Sequence, residues 1–187
     1  MSDFRNRGGK RATIAVLGAQ FTRVWGGEFM AGVLDSARLQ GVNVVCFAGG
    51  KPVPIPAQNG GRSYGLYDLI KPGQFDGILL AADIAHGLSA DEVENFCRSL
   101  SPMPIASVAV RAPGVSSFMA DNEGGMRAVV RHLIEEHQYT RIAFIRGPHG
   151  QIEAEQRYLA YREELKAHNI RFEEHLVVSG DFSPESG

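Results

Sequence analysis

Apolar residues in the second half of the chain recur alternately at helical and at strand spacing. A stripe at i, i+3, i+4, i+7 and i+8 predicts one helix, and its members are Met126, Val129, Val130, Leu133 and Ile134. Asp121 or Asn122 stands where this helix needs an acceptor for its first N–H groups. The run RIAFI at 141–145 then predicts a short buried strand, which Gly147-Pro148 ends.

A second helix and a further strand follow. Tyr158, Tyr161 and Leu165 provide the buried face of this helix, and Asn169 can take the left-handed conformation that ends it. The run LVV at 176–178 predicts the strand. Helices and strands that alternate with tight turns are typical of a parallel sheet with right-handed crossovers, so the predicted fold class is α/β.

The first half of the chain repeats this pattern. Strands are predicted at TIAVL (13–17), VNVVCF (42–47), ILLAA (78–82) and Met103 to Val110. A helix that Gly41 ends is predicted after the first strand from an apolar stripe, formed by Met30, Val33, Leu34 and Ala37. A loop at 49–63, a short helix YGLYDLI at 64–70 and a helix capped by Ser89 complete four β-α repeats before residue 111.

Together these motifs resemble the effector-binding domain of LacI/GalR-type regulators. The pattern is D-N-x-x-G from Asp121, a helix ending in HLI (132–134), R-I-A-F-I-x-G-P, and R-x-x-A-Y from Arg157. The likeness runs from Ala12 to the last residue, with its clearest motifs after Ala120. The segments FAGG and YGLYDLI are also similar to N-terminal sensor domains of large bacterial signalling proteins. The resemblance implies a two-lobed fold of the periplasmic-binding-protein type (type I), with doubly wound parallel sheets.

The predicted organisation is a disordered basic leader at 1–11, a first α/β lobe at 12–111, and a crossover with part of a second lobe at 112–187. A DNA-binding headpiece would need roughly 60 residues ahead of the first strand, more than the leader offers. Ser183-Pro184-Glu185 is a signal that predicts the start of a helix at the other end. We therefore expect a fragment of a longer protein, with an incomplete second lobe.

Composition excludes several classes of partner. The chain has 187 residues and a formal net charge of −2, so we expect no nucleic-acid binding by this chain alone and no membrane binding. It shows neither a membrane-spanning apolar run nor a secretory signal, which predicts a cytoplasmic protein. Cys46 and Cys97 are expected to be buried, reduced thiols.

Motifs for catalysis and for cofactors are missing from the sequence. It has no Gly-Lys-Ser/Thr phosphate loop, no G-x-G-x-x-G and no G-x-S-x-G elbow. His132 and His137 lie five residues apart, roughly 140° round a helix, which would prevent them from sharing a metal ion on one face. We therefore expect no enzymatic activity, no cofactor and no metal site.

A small-ligand site has better support, because ligands of open parallel sheets lie beyond the carboxyl ends of the strands. The candidate residues in these positions are Phe21, Trp25, Asp83, Arg111, His149 and Phe182. Phe21 and Trp25 are equally compatible with ordinary packing. The resemblance implies that Arg157 holds the ligand, although the family commonly has glycine at the position of Ala160. A surface arginine paired with Glu153 or Glu155 is the alternative.

The predicted function is a cytoplasmic sensing domain whose lobe closure controls transcription or an attached signalling output. Its partners would be a small polar ligand, sugar-like or nucleoside-like, and a second copy in a homodimer. Two alternatives remain open at this point. One is the core of a LacI/GalR-type regulator without its headpiece, and the other is a doubly wound enzyme that uses the same cleft.

Overall fold

The structure is a computed structural model that describes residues 11–21, 24–56, 62–182 and 184–186. The chain divides into two compact units, Met1–Met119 and Ala120–Gly187. No helix among these described residues is long and apolar enough to span a bilayer. The α/β class with parallel sheets is confirmed in both units.

A five-stranded parallel sheet forms the centre of the first unit. In chain order its strands are β1 (Thr13–Gly18), β2 (Asn43–Ala48), β5 (Gly77–Leu80), β6 (Ile105–Val108) and β7 (Ser116–Phe118). Their spatial order is β2-β1-β5-β6-β7. Two further strands, β3 (Ile55–Pro56) and β4 (Arg62–Ser63), pair antiparallel within the segment that was predicted as a loop. The predicted strands of this unit are therefore confirmed, and β7 is an addition to them.

Strand β7 was not predicted from the sequence because it is short and polar. It has three residues, two of them serines, and it lies at the edge of the sheet, so it carries no run of buried apolar positions. Its place is fixed instead by hydrogen bonds. The buried Ser107 hydroxyl donates to the carbonyl of Val110 (2.6 Å) and lies 3.0 Å from the Ser117 hydroxyl. Ser107 thereby joins β6 to β7 without leaving a buried polar group unpaired.

The helices of the first unit are α1 (Val24–Gln40) and α2 (Ala90–Ser99). Helix α2 begins with a capping box, in which the Ser89 N–H donates to Glu92 (2.7 Å) and the Glu92 N–H donates to the Ser89 hydroxyl (3.3 Å). The same backbone N–H of Ser89 lowers the pKa of Glu92. Helix α1 ends as predicted before Gly41, which has a φ of 66°. Short 3-10 helices follow β4 and β5, at Gly65–Leu69 and Ala82–Ala85.

The core of the first unit is largely apolar and is centred on β1, β5 and the inner face of α2. Its large members include Leu17, Leu80, Tyr67, Phe96 and Ile84. Tyr67 brings a hydroxyl into this core, where it donates to the carbonyls of Gly18 (3.0 Å) and Gly50 (2.7 Å). Burial raises the pKa of Tyr67 to about 12. The phenol is therefore held neutral and joins the loop after β2 to the end of β1.

Two predictions of burial in this unit are wrong in part. Cys97 is buried, and its burial raises the thiol pKa to about 11, but Cys46 is exposed because β2 is an edge strand. On α1, Leu34 is 41% exposed although it belongs to the predicted apolar stripe. The apolar faces of β2 and α1 are thus less covered than the periodicity suggests.

The second unit has two helices and a two-stranded parallel sheet. The elements are α3 (Asn122–Glu135), β8 (Phe144–Arg146), α4 (Ile152–Ala167) and β9 (Val177–Ser179). Helix α3 is capped by Asp121, whose carboxylate accepts the N–H of Gly124 (2.9 Å), and α4 is followed by Asn169 with a φ of 55°. The start of α3 and the end of α4 were predicted from the sequence and are confirmed.

Aromatic rings and a buried carboxylate hold this unit together. Phe144 stacks on Tyr161 at 4.8 Å between ring centroids, and the Tyr161 hydroxyl donates to the carbonyl of Ile142 (2.9 Å). Val130 of α3 is buried with them, whereas Val129 of the predicted stripe is 56% exposed. The stripe therefore faces the core along a narrower line than its spacing predicts.

Glu164 of α4 is the buried charge of this unit, with 2% of its surface exposed. Its carboxylate accepts from Arg131 Nε (2.9 Å) and lies 3.8 Å from Arg127, which also pairs with Glu163. The bond to Glu164 raises the pKa of Arg131. Since both arginines come from α3, this carboxylate links the two helices electrostatically.

Candidate functional site

Asp83 lies directly beyond the carboxyl end of β5, in the 3-10 helix Ala82–Ala85. Its Oδ2 accepts the backbone N–H of Gln20 (2.8 Å), which follows β1. Its Oδ1 is buried and has no hydrogen-bond partner among the residues that the structure describes. A carboxylate oxygen in that state costs free energy in the folded protein unless another group supplies a donor. The predicted site residue Asp83 is therefore fixed in place and has unused acceptor capacity.

Phe21 lies next to this carboxylate. A β-carbon added to Gly18 would lie 2.7 Å from Phe21 Cε1 and 3.1 Å from Asp83 Oδ1. Both side chains thus approach the same glycine, and any other residue at position 18 would push the ring or the carboxylate away. The structure brings together two of the predicted residues, a ring and an acceptor. Trp25, another of the predicted residues, lies in α1. Its side chain is outside the described part of the structure.

Arg111 and His149 have a different setting. Arg111 is exposed after β6 and borders an open depression of about 440 Å³, lined also by Ala112, Pro113, Val115, Ser117 and Met119. Phe21 and Asp83 are not among its lining residues. His149 is exposed in the turn between β8 and α4.

Arg157 lies in the second turn of α4 and meets residues that are distant in sequence. Its Nη1 donates to Asn122 Oδ1 (2.5 Å), and its guanidinium carbon lies 5.9 Å from the ring centroid of Phe182. That ring in turn lies against Gly147, where a β-carbon would collide with it. We call Asn122, Gly147, Arg157 and Phe182 the Arg157 cluster. Asn122 begins α3, Gly147 follows β8, Phe182 follows β9, and Arg157 lies in the second turn of α4.

The alternative pairing for Arg157 is not observed. Glu155 accepts instead from Arg146 (2.5 Å), the last residue of β8. The bond of Arg157 goes to a neutral amide, which a ligand hydroxyl or carboxylate could replace without leaving a protein carboxylate unpaired. Tyr161, one turn further along α4, is anchored in the core through its bond to Ile142 and so fixes the helix that carries Arg157. Ala160, the departure from the family pattern, is buried beside it.

Asn122 was predicted as a candidate helix cap, and the sequence did not identify it as a site residue. Asp121 takes the capping role, which leaves the Asn122 side chain free to accept from Arg157. The D-N-x-x-G motif was the available signal, because its second residue is not needed for the cap once the first one supplies the acceptor. No group of three or more His, Cys, Asp or Glu side chains suited to a metal ion occurs in the described ranges.

Comparisons with known proteins agree with this architecture. No family model matches the chain. The HTH-type transcriptional regulator CelR of Thermobifida fusca is 41% identical over 73 residues, which is 39% of this chain and 21% of that protein.

Solved structures match over much more of the chain. The transcription regulator CcpA of Lactococcus lactis has a TM-score of 0.69 at 23% identity, with 94% of this chain and 61% of that chain covered. A CelR–cellobiose complex gives 0.66 at 24% identity, covering 94% and 53%. A LacI-family regulator from Enterococcus faecium with bound ribose gives 0.67 at 16% identity, covering 93% and 59%.

This chain therefore spans less than two thirds of the length of the regulators that it matches. The structural likeness establishes the fold, and the 73-residue match adds a likeness in sequence to one regulator of transcription. The predicted resemblance to LacI/GalR-type effector-binding domains, with their periplasmic-binding-protein-like fold, is thus confirmed.

Proposed function

We propose that this chain is the sensing region of a cytoplasmic LacI/GalR-type regulator, which binds a small polar ligand and has no catalytic activity. Ligand binding would favour lobe closure and so control transcription, as the resemblance implies. The observation that carries the proposal is the Arg157 cluster. There a guanidinium in the second turn of α4 is held by a neutral amide and an aromatic ring.

Each unit by itself offers groups that suit such a ligand. Asp83 supplies an acceptor oxygen beside the ring of Phe21 in the first unit. Arg157 supplies donors beside the ring of Phe182 in the second. Sugars present hydroxyl groups that both donate and accept, together with apolar ring faces that pack on aromatic side chains. We propose that Phe21, Trp25, Asp83, Arg111, His149, Arg157 and Phe182 contact the ligand, and we add Asn122 to this set.

We propose a saccharide as the ligand, which the same chemistry supports, as do two of the matched structures, those with cellobiose and with ribose. A neutral saccharide suits either Asp83 or Arg157, because its hydroxyl groups can both donate and accept hydrogen bonds. Nucleosides would satisfy the same donors and acceptors and remain the second candidate class. A homodimer, and no specific DNA binding by this chain alone, belong to the same proposal.

A thermal-shift screen of the protein tests the ligand class. Cellobiose, ribose, other mono- and disaccharides, and nucleosides are added separately at millimolar concentration. A ligand that binds only the folded state raises the midpoint of unfolding, because it stabilises that state by RT ln(1 + [L]/Kd). We expect at least one saccharide to do so. If nucleosides alone raise it, the saccharide assignment is wrong, and if no compound does, the proposed ligand classes are both wrong.

A doubly wound enzyme would use the same strand ends, so it must be tested separately. A saccharide that stabilises the protein is incubated with it for a prolonged time, and its NMR spectrum is monitored. We expect the saccharide to remain unchanged. Conversion of the compound at a rate that scales with protein concentration would favour the enzyme. The regulators among the matched proteins support the non-enzymatic interpretation.

A further inference from the structure

The end of helix α3 brings two histidine side chains into contact. His132 lies in the last turn of α3, and His137 lies two residues beyond Glu135, the last residue of the helix. Their Nε2 atoms are 3.1 Å apart, and their rings are nearly perpendicular with centroids 4.9 Å apart. The prediction that these residues diverge round one helix is wrong, because the helix stops before it reaches His137.

The backbone holds this arrangement in place. Gln138 has a φ of 56°, and its side-chain amide donates to the carbonyl of Glu135 (2.6 Å). The N–H of Tyr139 donates to the carbonyl of Leu133 (3.1 Å), so the chain folds back over the last turn of α3. Tyr139 then stacks on the His137 ring at 5.4 Å with an angle of 14°. The position of His137 therefore depends on a hydrogen-bonded helix end, and its ring is oriented by a neighbour.

The spacing of the two nitrogens suits a metal ion. Imidazole nitrogens bind Zn²⁺ at about 2.0–2.1 Å, so two of them 3.1 Å apart subtend roughly 100° at the ion. That angle lies between the right angle of square or octahedral coordination and the tetrahedral angle. The carbonyl end of α3 and the acidic Glu136 beside it favour a cation at this end of the helix.

We propose that His132 and His137 form a chelating surface site for a divalent late transition metal, with Cu²⁺ bound more tightly than Ni²⁺ or Zn²⁺. Since no third His, Cys, Asp or Glu ligand joins them in the described part of the chain, water fills the remaining positions. Without metal, the same two nitrogens share a hydrogen bond, with one ring as the donor. Metal binding replaces that bond and ties the turn after α3 to its last helical turn.

Titration calorimetry with NiCl₂ tests the site, on untagged protein that has been freed of metal by a chelator. The variants are His132→Gln and His137→Gln, each of which leaves one imidazole. The control is His175→Gln, an exposed histidine of the same unit. Circular dichroism confirms that each variant is folded.

We expect one strong equivalent of Ni²⁺ in the wild-type protein and in the His175→Gln variant. Each of the two site variants should bind about tenfold more weakly or worse, because chelation by two rings is lost. Equal affinity in all four proteins would contradict the proposal and place the metal elsewhere. Failure of the wild-type protein to bind Ni²⁺ would show that the two rings form a hydrogen-bonded pair only.

Discussion

Different kinds of interaction stabilise the interior of each of the two units. In the first unit, a five-stranded sheet buries aliphatic and aromatic side chains, and its buried Ser107 is neutral and hydrogen-bonded. In the second unit, two helices meet over a smaller apolar cluster and a buried carboxylate, Glu164, paired with arginines of the other helix. Burial of apolar area depends little on pH and salt, whereas an ion pair depends on both. We expect the stability of the two units to respond differently to the same conditions.

The largest expected effect is on the apolar core of the first unit. Leu17 is fully buried in β1, so Leu17→Ala should lower the free energy of unfolding by about 3 kcal/mol through lost burial and the cavity left behind. Leu39→Ala is the matched control, since Leu39 is 87% exposed. Urea denaturation measures both, and hydrogen exchange localises the loss. A comparable loss for both substitutions would contradict the assigned core.

Glu164→Ala tests the charged core of the second unit. The carboxylate is buried, but its arginine partners are half exposed and regain water, so we expect a loss of about 2 kcal/mol rather than the larger value for a fully buried pair. Glu163→Ala removes an adjacent, exposed carboxylate that pairs with Arg127, and should cost well under about 1 kcal/mol. Equal effects would mean that burial of Glu164 has no energetic consequence.

Two buried tyrosines allow a smaller comparison between the units. The Tyr67 hydroxyl shares its one proton between two carbonyls in the first unit, and the Tyr161 hydroxyl donates to one carbonyl in the second. Removal of the Tyr67 hydroxyl leaves two carbonyls without this donor, so Tyr67→Phe should destabilise the protein more than Tyr161→Phe, each by about 1 kcal/mol or more. The ratio of the two losses in urea denaturation is the quantity to compare. A larger loss in the free energy of unfolding from Tyr161→Phe than from Tyr67→Phe would contradict this prediction.

The smallest expected effect is a pH dependence confined to the second unit. The Glu164 carbonyl and then the Glu135 carboxylate raise the pKa of His168 above its ordinary value. Protonated His168 is the form that these groups stabilise. Its contribution is therefore complete below the ordinary histidine pKa near 6.5 and is lost as pH rises through the raised value.

The stability difference between the wild-type protein and His168→Gln, measured at several pH values, should shrink as the solution becomes alkaline. Leu17→Ala offers the contrasting control, because its effect on the first unit should stay nearly constant over the same range. A stability difference between the wild-type protein and His168→Gln that grows with pH would contradict this prediction.

Much of the fold could be predicted because its signals are local. The capping box of α2, the Asp121 cap of α3 and the left-handed Asn169 after α4 each depend on a few neighbouring residues. Strand β7 could not be predicted, since its pairing with β6 is decided by distant contacts and its own residues are polar. The contact of His132 with His137 was missed for a related reason, because it depends on where a helix stops.

The residues of the candidate site could likewise be predicted from local signals, whereas their distant contacts could not. Position after a strand was enough to suggest Asp83, and the resemblance to a family suggested Arg157. The sequence could not show that an oxygen of Asp83 is buried without a partner among the described residues, or that Arg157 bonds to Asn122, 35 residues away. Such pairings follow from the packing of whole elements, which a single sequence does not specify. The ligand roles of the predicted residues remain predictions.

The most direct test of the sensing proposal is calorimetry with the saccharide that stabilises the protein most. Wild-type protein, Arg157→Ala and Arg162→Ala are compared. Arg162 is on the same helix but contacts the rings of Tyr158 and Phe172, outside the Arg157 cluster. We predict that Arg157→Ala weakens binding by about 2 kcal/mol, roughly 30-fold, while Arg162→Ala leaves the affinity unchanged. Wild-type affinity in a folded Arg157→Ala protein would contradict the account.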